Sequence, residues 1–158
     1  MKQEWIILNN QKTLGLNISA IVGFAGVNLK DDVLLIQGFF NYIAKGFGAA
    51  AVGLGGVYKV PEITGEMDAD TYSAISEFQI RNAHQLLTGH QFDGRIHPGN
   101  FKNRHLSSRG LNRHMFITLL NIMAIDAAVM QGQLDYVQGL AGLKLELGLA
   151  IDQAILNS

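Results

Sequence analysis

Between Val33 and Phe47 the apolar positions recur at steps of three and four. Val33, Ile36, Phe40, Ile43 and Phe47 share a stripe, the spacing that places side chains on one face of an α-helix. Leu35, Phe39 and Tyr42 form a second stripe, so a helix over residues 31–45 is expected to be buried on two sides. Asp31 and Asp32 stand at its start, where carboxylates favour the helix dipole. A second helix is expected from Ala69 to Leu87, with Asp68 as its N-cap and Asp70 in its first turn. Ala74, Ile75 and Phe78 give its inward face, which Leu86 continues. A third helix is expected over Leu111–Met130, with Leu111, Met115, Leu119, Ile122 and Val129 on one side.

The tail, Leu134 to Ile155, reads two ways. Val137, Leu140, Leu143, Leu147 and Ile151 fit a helix, whereas Leu143, Leu145, Leu147 and Leu149 alternate as in a strand. Length favours helix, although Gly139, Gly142 and Gly148 weaken it. Residues 1–30 read as irregular or short-stranded: Leu14, Leu16 and Ile18 alternate with Gly15, Asn17 and Ser19, and Gly23 and Gly26 mark a turn-rich lead-in. Residues 46–57 form a glycine-rich, uncharged connection, and residues 88–110 a polar loop.

Composition narrows the class. The chain has 158 residues, the size of one domain, and 48% of them are hydrophobic, enough for a packed core. The net charge of -1 gives no general attraction to nucleic acid or anionic membrane. With no cysteine there is no disulfide, thiolate metal site or thiol nucleophile. The apolar run Trp5–Leu8 is too short for a signal peptide. Asn112, Arg113, His114, Asn121 and Asp126 interrupt the most apolar segment, so no membrane span is expected. A cytoplasmic protein as synthesised is expected, with any export to the periplasm or cell envelope following a non-classical route.

One stretch carries a family resemblance. Thr64-Gly65-Glu66-Met67-Asp68-Ala69-Asp70-Thr71 leads into Ala74-Ile75 and Phe78-Gln79 at helical spacing. Upstream stand Val22-Gly23, Gly26-Val27-Asn28 and Asp32-Val33-Leu34-Leu35-Ile36-Gln37; downstream stands Asp93-Gly94-Arg95-Ile96-His97-Pro98-Gly99. In this order, over residues 22–100, the motifs resemble the peptidoglycan-binding-like domain family. The glycine-rich connection is longer than that family's usual link, Thr64-Gly65 stands where Asp-Gly is usual, and the last third has no counterpart. The resemblance implies a mainly α fold, a small helical bundle of the peptidoglycan-binding type, followed over 110–156 by a C-terminal helical extension. The whole reads as a single domain, 1–158, with a short β element allowed near the N-terminus.

The same resemblance implies non-catalytic binding of bacterial cell-wall peptidoglycan or another anionic glycan. The groove would lie between the first two helices and the 88–104 loop. Tyr72, Gln79, Arg95 and Asn100 are the expected contacts: an aromatic for a sugar face, amides for hydroxyl or acetamido groups, a cation for carboxylate. Gln79 has an equally simple structural use, tying down a loop. A second reading is a structural or interaction protein, a component or cargo of a bacterial secretion or injection system, with the C-terminal apolar segment meeting a protein partner or a second copy.

An enzyme is not indicated, and no cofactor or metal is expected. Glu62, Glu66, Asp68 and Asp70 cluster, yet such clusters are routine at helix N-termini. His84, His90, His97, His105 and His114 lack zinc-helix spacing. Ser107-Ser108-Arg109-Gly110 lacks a hydrolase elbow. A cell-wall hydrolase using Asp126, Asp135, Glu146 or Asp152 is the least favoured reading. Arg95, Lys102, Arg104, Arg109 and Arg113 make the 95–114 stretch locally basic. That suits an anionic partner; Phe101 alone supplies no stacking platform for nucleic acid.

Overall fold

Strands β1 (Lys2–Leu8) and β2 (Gln11–Asn17) form an antiparallel hairpin, Lys2 opposite Asn17 and Leu8 opposite Gln11. Ile6 and Leu16 point into the core and are fully buried. In the computed structural model, which describes residues 1–8, 10–82, 93–101 and 116–157, this hairpin is the largest departure from the helical expectation. Five helices and two small sheets make a mixed α/β fold in which helices dominate among the described residues. Burial along β1 alternates, with Glu4 and Ile6 buried between half-buried Gln3, Trp5 and Ile7, but the contiguous apolar run Trp5–Leu8 and the charge on Glu4 hide that alternation from the sequence.

Helix α1 (Lys30–Phe47) is the axis of the core. Both expected stripes are buried, except that Phe47 is 43% exposed at the C-terminal end. Gly38 and Gly46 let other helices approach it. A Cβ on Gly38 would meet Leu147 at 2.5 Å, and one on Gly46 would meet Ala127 Cβ at 2.9 Å. Asp32 does more than face the dipole: it is buried, receives the N–H groups of Ser19 and Ala20, and lies 2.6 Å from the amino group of Met1.

The glycine-rich connection packs at its middle and is exposed at residues 55–57. A 3-10 turn over Ala49–Val52 buries Val52, and Leu54 follows it into the core. Helix α2 (Ala69–Asn82) then begins on Asp68, whose carboxylate accepts from Thr71 N at 2.8 Å and from the Thr71 hydroxyl at 2.6 Å. Thr71 thus bonds the cap side chain rather than the backbone. Ala74, Ile75 and Phe78 face inward as expected. The Phe78 ring meets Phe40 of α1 edge-on, centroids 5.8 Å apart, and Phe116 at 5.7 Å. Gln37 of α1 also reaches across: Nε2 donates to Thr71 Oγ1 at 3.0 Å, and Oε1 accepts from the N–H groups of Thr64 and Gly65, both at 2.9 Å.

Helix α3 (Phe116–Met130) buries Leu119 and leaves Val129 74% exposed, so the expected single face fails at its end. Leu111 and Met115 lie outside the described residues, as does Leu86. Asn121 of α3 meets the outer edge of β2 as a strand would: Leu16 N donates to Oδ1 at 2.9 Å, and Nδ2 donates to Leu16 O at 2.8 Å. The Tyr136 hydroxyl completes the group, donating to Asn121 Oδ1 at 2.6 Å. The tail is helical, in two pieces: α4 (Tyr136–Ala141) and α5 (Leu145–Gln153). Leu147 and Ile151 are buried while Leu145 and Leu149 are exposed, which removes the strand reading. Strand β5 (Ile155–Asn157), not expected from the sequence, then joins β1 in parallel, giving the order β2-β1-β5.

Candidate functional site

Two short strands bring distant parts of the chain together. β3 (Val22–Gly23) pairs antiparallel with β4 (Arg95–Ile96), Gly23 opposite Arg95. The approach is so close that a Cβ on Gly23, at φ 124°, would lie 2.1 Å from Gly94 O. Phe24 N donates to the same oxygen at 3.0 Å. Asn28 shapes the turn that follows. Its Oδ1 accepts from Gly23 N at 2.7 Å, and its Nδ2 donates to the carbonyls of Gly23 and Gly26. Ala25 and Asn28 both hold positive φ here, at 54° and 55°, an uncommon backbone for residues other than glycine. This turn presents Phe24 to solvent at 69% exposure.

Across from Phe24 stands Tyr72 on the first turn of α2, 39% exposed. Between them opens a surface cleft of about 650 Å³, lined by Phe24, Tyr72, Ser76, Asp93 and Gly94. Gln79 fixes its floor from behind. Gly94 N donates to Gln79 Oε1, while Nε2 donates to Asp93 Oδ1 at 3.1 Å and Arg95 O at 2.8 Å. Asp93 also accepts from Arg95 N at 3.1 Å and lies 2.9 Å from His97 Nε2. Burial opposes its charge, but the bonds from His97, Gln79 and Arg95 N–H prevail and hold its carboxyl below the usual range. The cleft therefore offers two aromatic faces, a hydroxyl and a fixed carboxylate.

Of the four expected contacts, only Tyr72 lines this cleft. Gln79 is fully buried and its amide is taken up by the 93–95 turn, so its loop-tying use is the one observed. Arg95 contributes its backbone to β4; its Nε is buried with no hydrogen-bond partner among the described residues, and the residue is not part of the lining. Asn100 is exposed beyond Gly99, away from the lining. Gly99 itself is strapped to the hairpin by Asn17, which accepts from its N–H at 2.9 Å and donates to its carbonyl at 2.7 Å. Phe24, Ser76 and Asp93 were not expected as contacts. An aromatic set in a run of small turn residues, Gly23-Phe24-Ala25-Gly26, was the available signal.

The other candidates separate. Lys102, Arg104, His105, Arg109, Arg113 and His114 of the basic stretch lie outside the described residues, as do His84 and His90. Among the described residues no group of three or more His, Asp or Glu side chains is placed to hold a metal ion. Asp135 caps α4 through Val137 N at 2.9 Å, and Glu146 pairs with Lys30 at 3.3 Å. No described helix is long and apolar enough to cross a membrane. Comparison with protein-family models, with curated proteins and with solved structures finds no significant match to the chain.

Proposed function

We propose that the chain binds the glycan of bacterial peptidoglycan, without catalysis, in the cleft between Phe24 and Tyr72. The observation that carries this reading is the pair of exposed aromatics flanking Ser76 and Asp93. Aromatic faces cover the apolar C–H face of a sugar, and a few fixed polar groups set its orientation. The Asp93 carboxylate and Ser76 hydroxyl suit sugar hydroxyls and acetamido N–H groups. The described lining holds a carboxylate and no cation, so the anionic-glycan expectation narrows to the neutral face of the sugar. Further support comes from the links made among the segments that carry the resemblance: Gln37 to Thr71, and Gln79 to the Asp93-Gly94 turn.

A second reading, a structural or interaction protein such as a component or cargo of a bacterial injection system, draws on the exposed Leu145 and Leu149 of α5 and on Ile155 and Leu156 beyond it. Sedimentation with insoluble peptidoglycan separates the two. Retention of the wild type, lost in Phe24→Ala and Tyr72→Ala but kept in Asn100→Ala, supports glycan binding. No retention of the wild type overturns it in favour of the interaction protein. Release of soluble muropeptides would replace both with a hydrolase.

A further inference from the structure

We infer that the chain self-associates through the turn between α3 and α4, with a second copy occupying the hollow beside that turn. Residues 131–135 form a ridge with Leu134 fully exposed on it, and Val129 and Met130 stand next to it at 74% and 64% exposure. On one side lies a cleft of about 420 Å³, walled by Trp5, Lys12, Leu14 and Ile125 and, from the turn itself, by Leu134 and Asp135, so that both halves of a two-fold contact lie on one patch. On the other is a second hollow of about 390 Å³, reaching Gln138 and Gly139. A projecting apolar side chain next to an aromatic-walled hollow is complementary to itself. A two-fold axis sets each Leu134 into the other copy's cleft with a single kind of contact, made twice.

Charge points to the same occupant. Lys12 is exposed on the cleft wall, its ammonium 5.0 Å from the centre of the Trp5 ring. Asp135, also exposed, directly follows Leu134. A Leu134 entering the opposite cleft carries Asp135 toward the Lys12 of that copy, and the symmetry repeats the pair. Neither residue forms a salt bridge within the chain among the described residues. The ridge shares no residue with the Phe24–Tyr72 cleft, so glycan binding and self-association fail separately.

Sedimentation velocity at rising protein concentration tests the inference. The mass should climb from 17.2 kDa toward twice that value. Leu134→Asp should remain monomeric at every concentration, with an unchanged melting curve because the side chain touches no core. Lys12→Glu should weaken the dimer by about tenfold, since two surface pairs are lost at once. Lys12→Glu combined with Asp135→Asn should bind more tightly than Lys12→Glu alone but less tightly than the wild type, because the carboxylate repulsion is relieved while the pair stays lost, and Asn caps a helix as well as Asp. A wild type that stays monomeric to millimolar concentration overturns the inference, and so does a dimer indifferent to Leu134→Asp. A dimer lost with Leu134→Asp but unmoved by Lys12→Glu overturns the assignment of the cleft.

Discussion

Gly94 N donates to Gln79 Oε1 at 2.9 Å, and through this bond a fully buried residue of α2 holds the floor of a surface cleft. The fold and the candidate site share this contact, which makes their contributions separable. Gln79→Ala strands the N–H of Gly94 and removes the donor to Arg95 O, at a cost of about 2–3 kcal/mol. Tyr72→Ala removes a partly exposed ring and costs under about 1 kcal/mol. Chemical denaturation should therefore show a large loss for Gln79→Ala and a small one for Tyr72→Ala, while both lose retention on peptidoglycan. Equal stability losses would contradict the division of roles.

Gly23 is the tightest point of the site, its absent Cβ overlapping Gly94 O at 2.1 Å. Gly23→Ala must push β3 from β4 and adopt φ 124°, a conformation alanine avoids. Loss of glycan retention with the helical circular dichroism largely kept is the expected result. Unchanged retention would show that the strand pair does not shape the cleft.

On α1 the expected effect opposes helix propensity. Gly46→Ala gains up to about 1 kcal/mol from propensity. It also forces a methyl to 2.9 Å from Ala127 Cβ and 3.1 Å from Ala127 O, where the backbone must move. Overpacking of this kind costs about 1–3 kcal/mol, so the variant should melt lower than the wild type. A higher melting temperature would mean that α3 withdraws freely from α1.

Asn121 closes the edge of β2 with a side-chain amide. Asn121→Ala strands Leu16 N–H and Leu16 O in a buried place and leaves the Tyr136 hydroxyl only the Leu14 carbonyl, at 3.1 Å. A loss of about 3 kcal/mol is expected, together with faster amide exchange at Leu16. Exchange at Leu16 as slow as in the wild type would refute the edge-closing role.

The pH dependence follows from Asp93. Its folded pKa lies below the unfolded value. The stability it contributes is therefore complete at neutral pH and is lost as the solution is acidified below about pH 4 and on through the folded pKa. The gap in melting temperature between wild type and Asp93→Asn should be open at about pH 5 and close as the pH falls below about 4. A gap that persists under stronger acid would mean that the Asp93 charge does not hold the 93–97 turn.

Local patterning along the chain accounts for the periodic part of this protein. The stripes of Val33 to Ile43 and of Ala74 to Phe78 specified two helices and their buried faces, and Asp68 specified where α2 starts, because cap and periodicity act within a few residues. Gly65, a residue that permits a left-handed turn, takes one at φ 79°. Tertiary structure decided everything that depends on pairing across distance. β1 meets β5 from the far end of the chain, a relation no local pattern records. Gln79 was chosen for the loop and not for a ligand only when the 93–95 turn arrived beside it. Phe24 and Tyr72, far apart along the chain, became two walls of one cleft only because Gly23 lets β3 close on β4. Periodicity reports which face is buried, but not which neighbour buries it, and a binding site is made of neighbours.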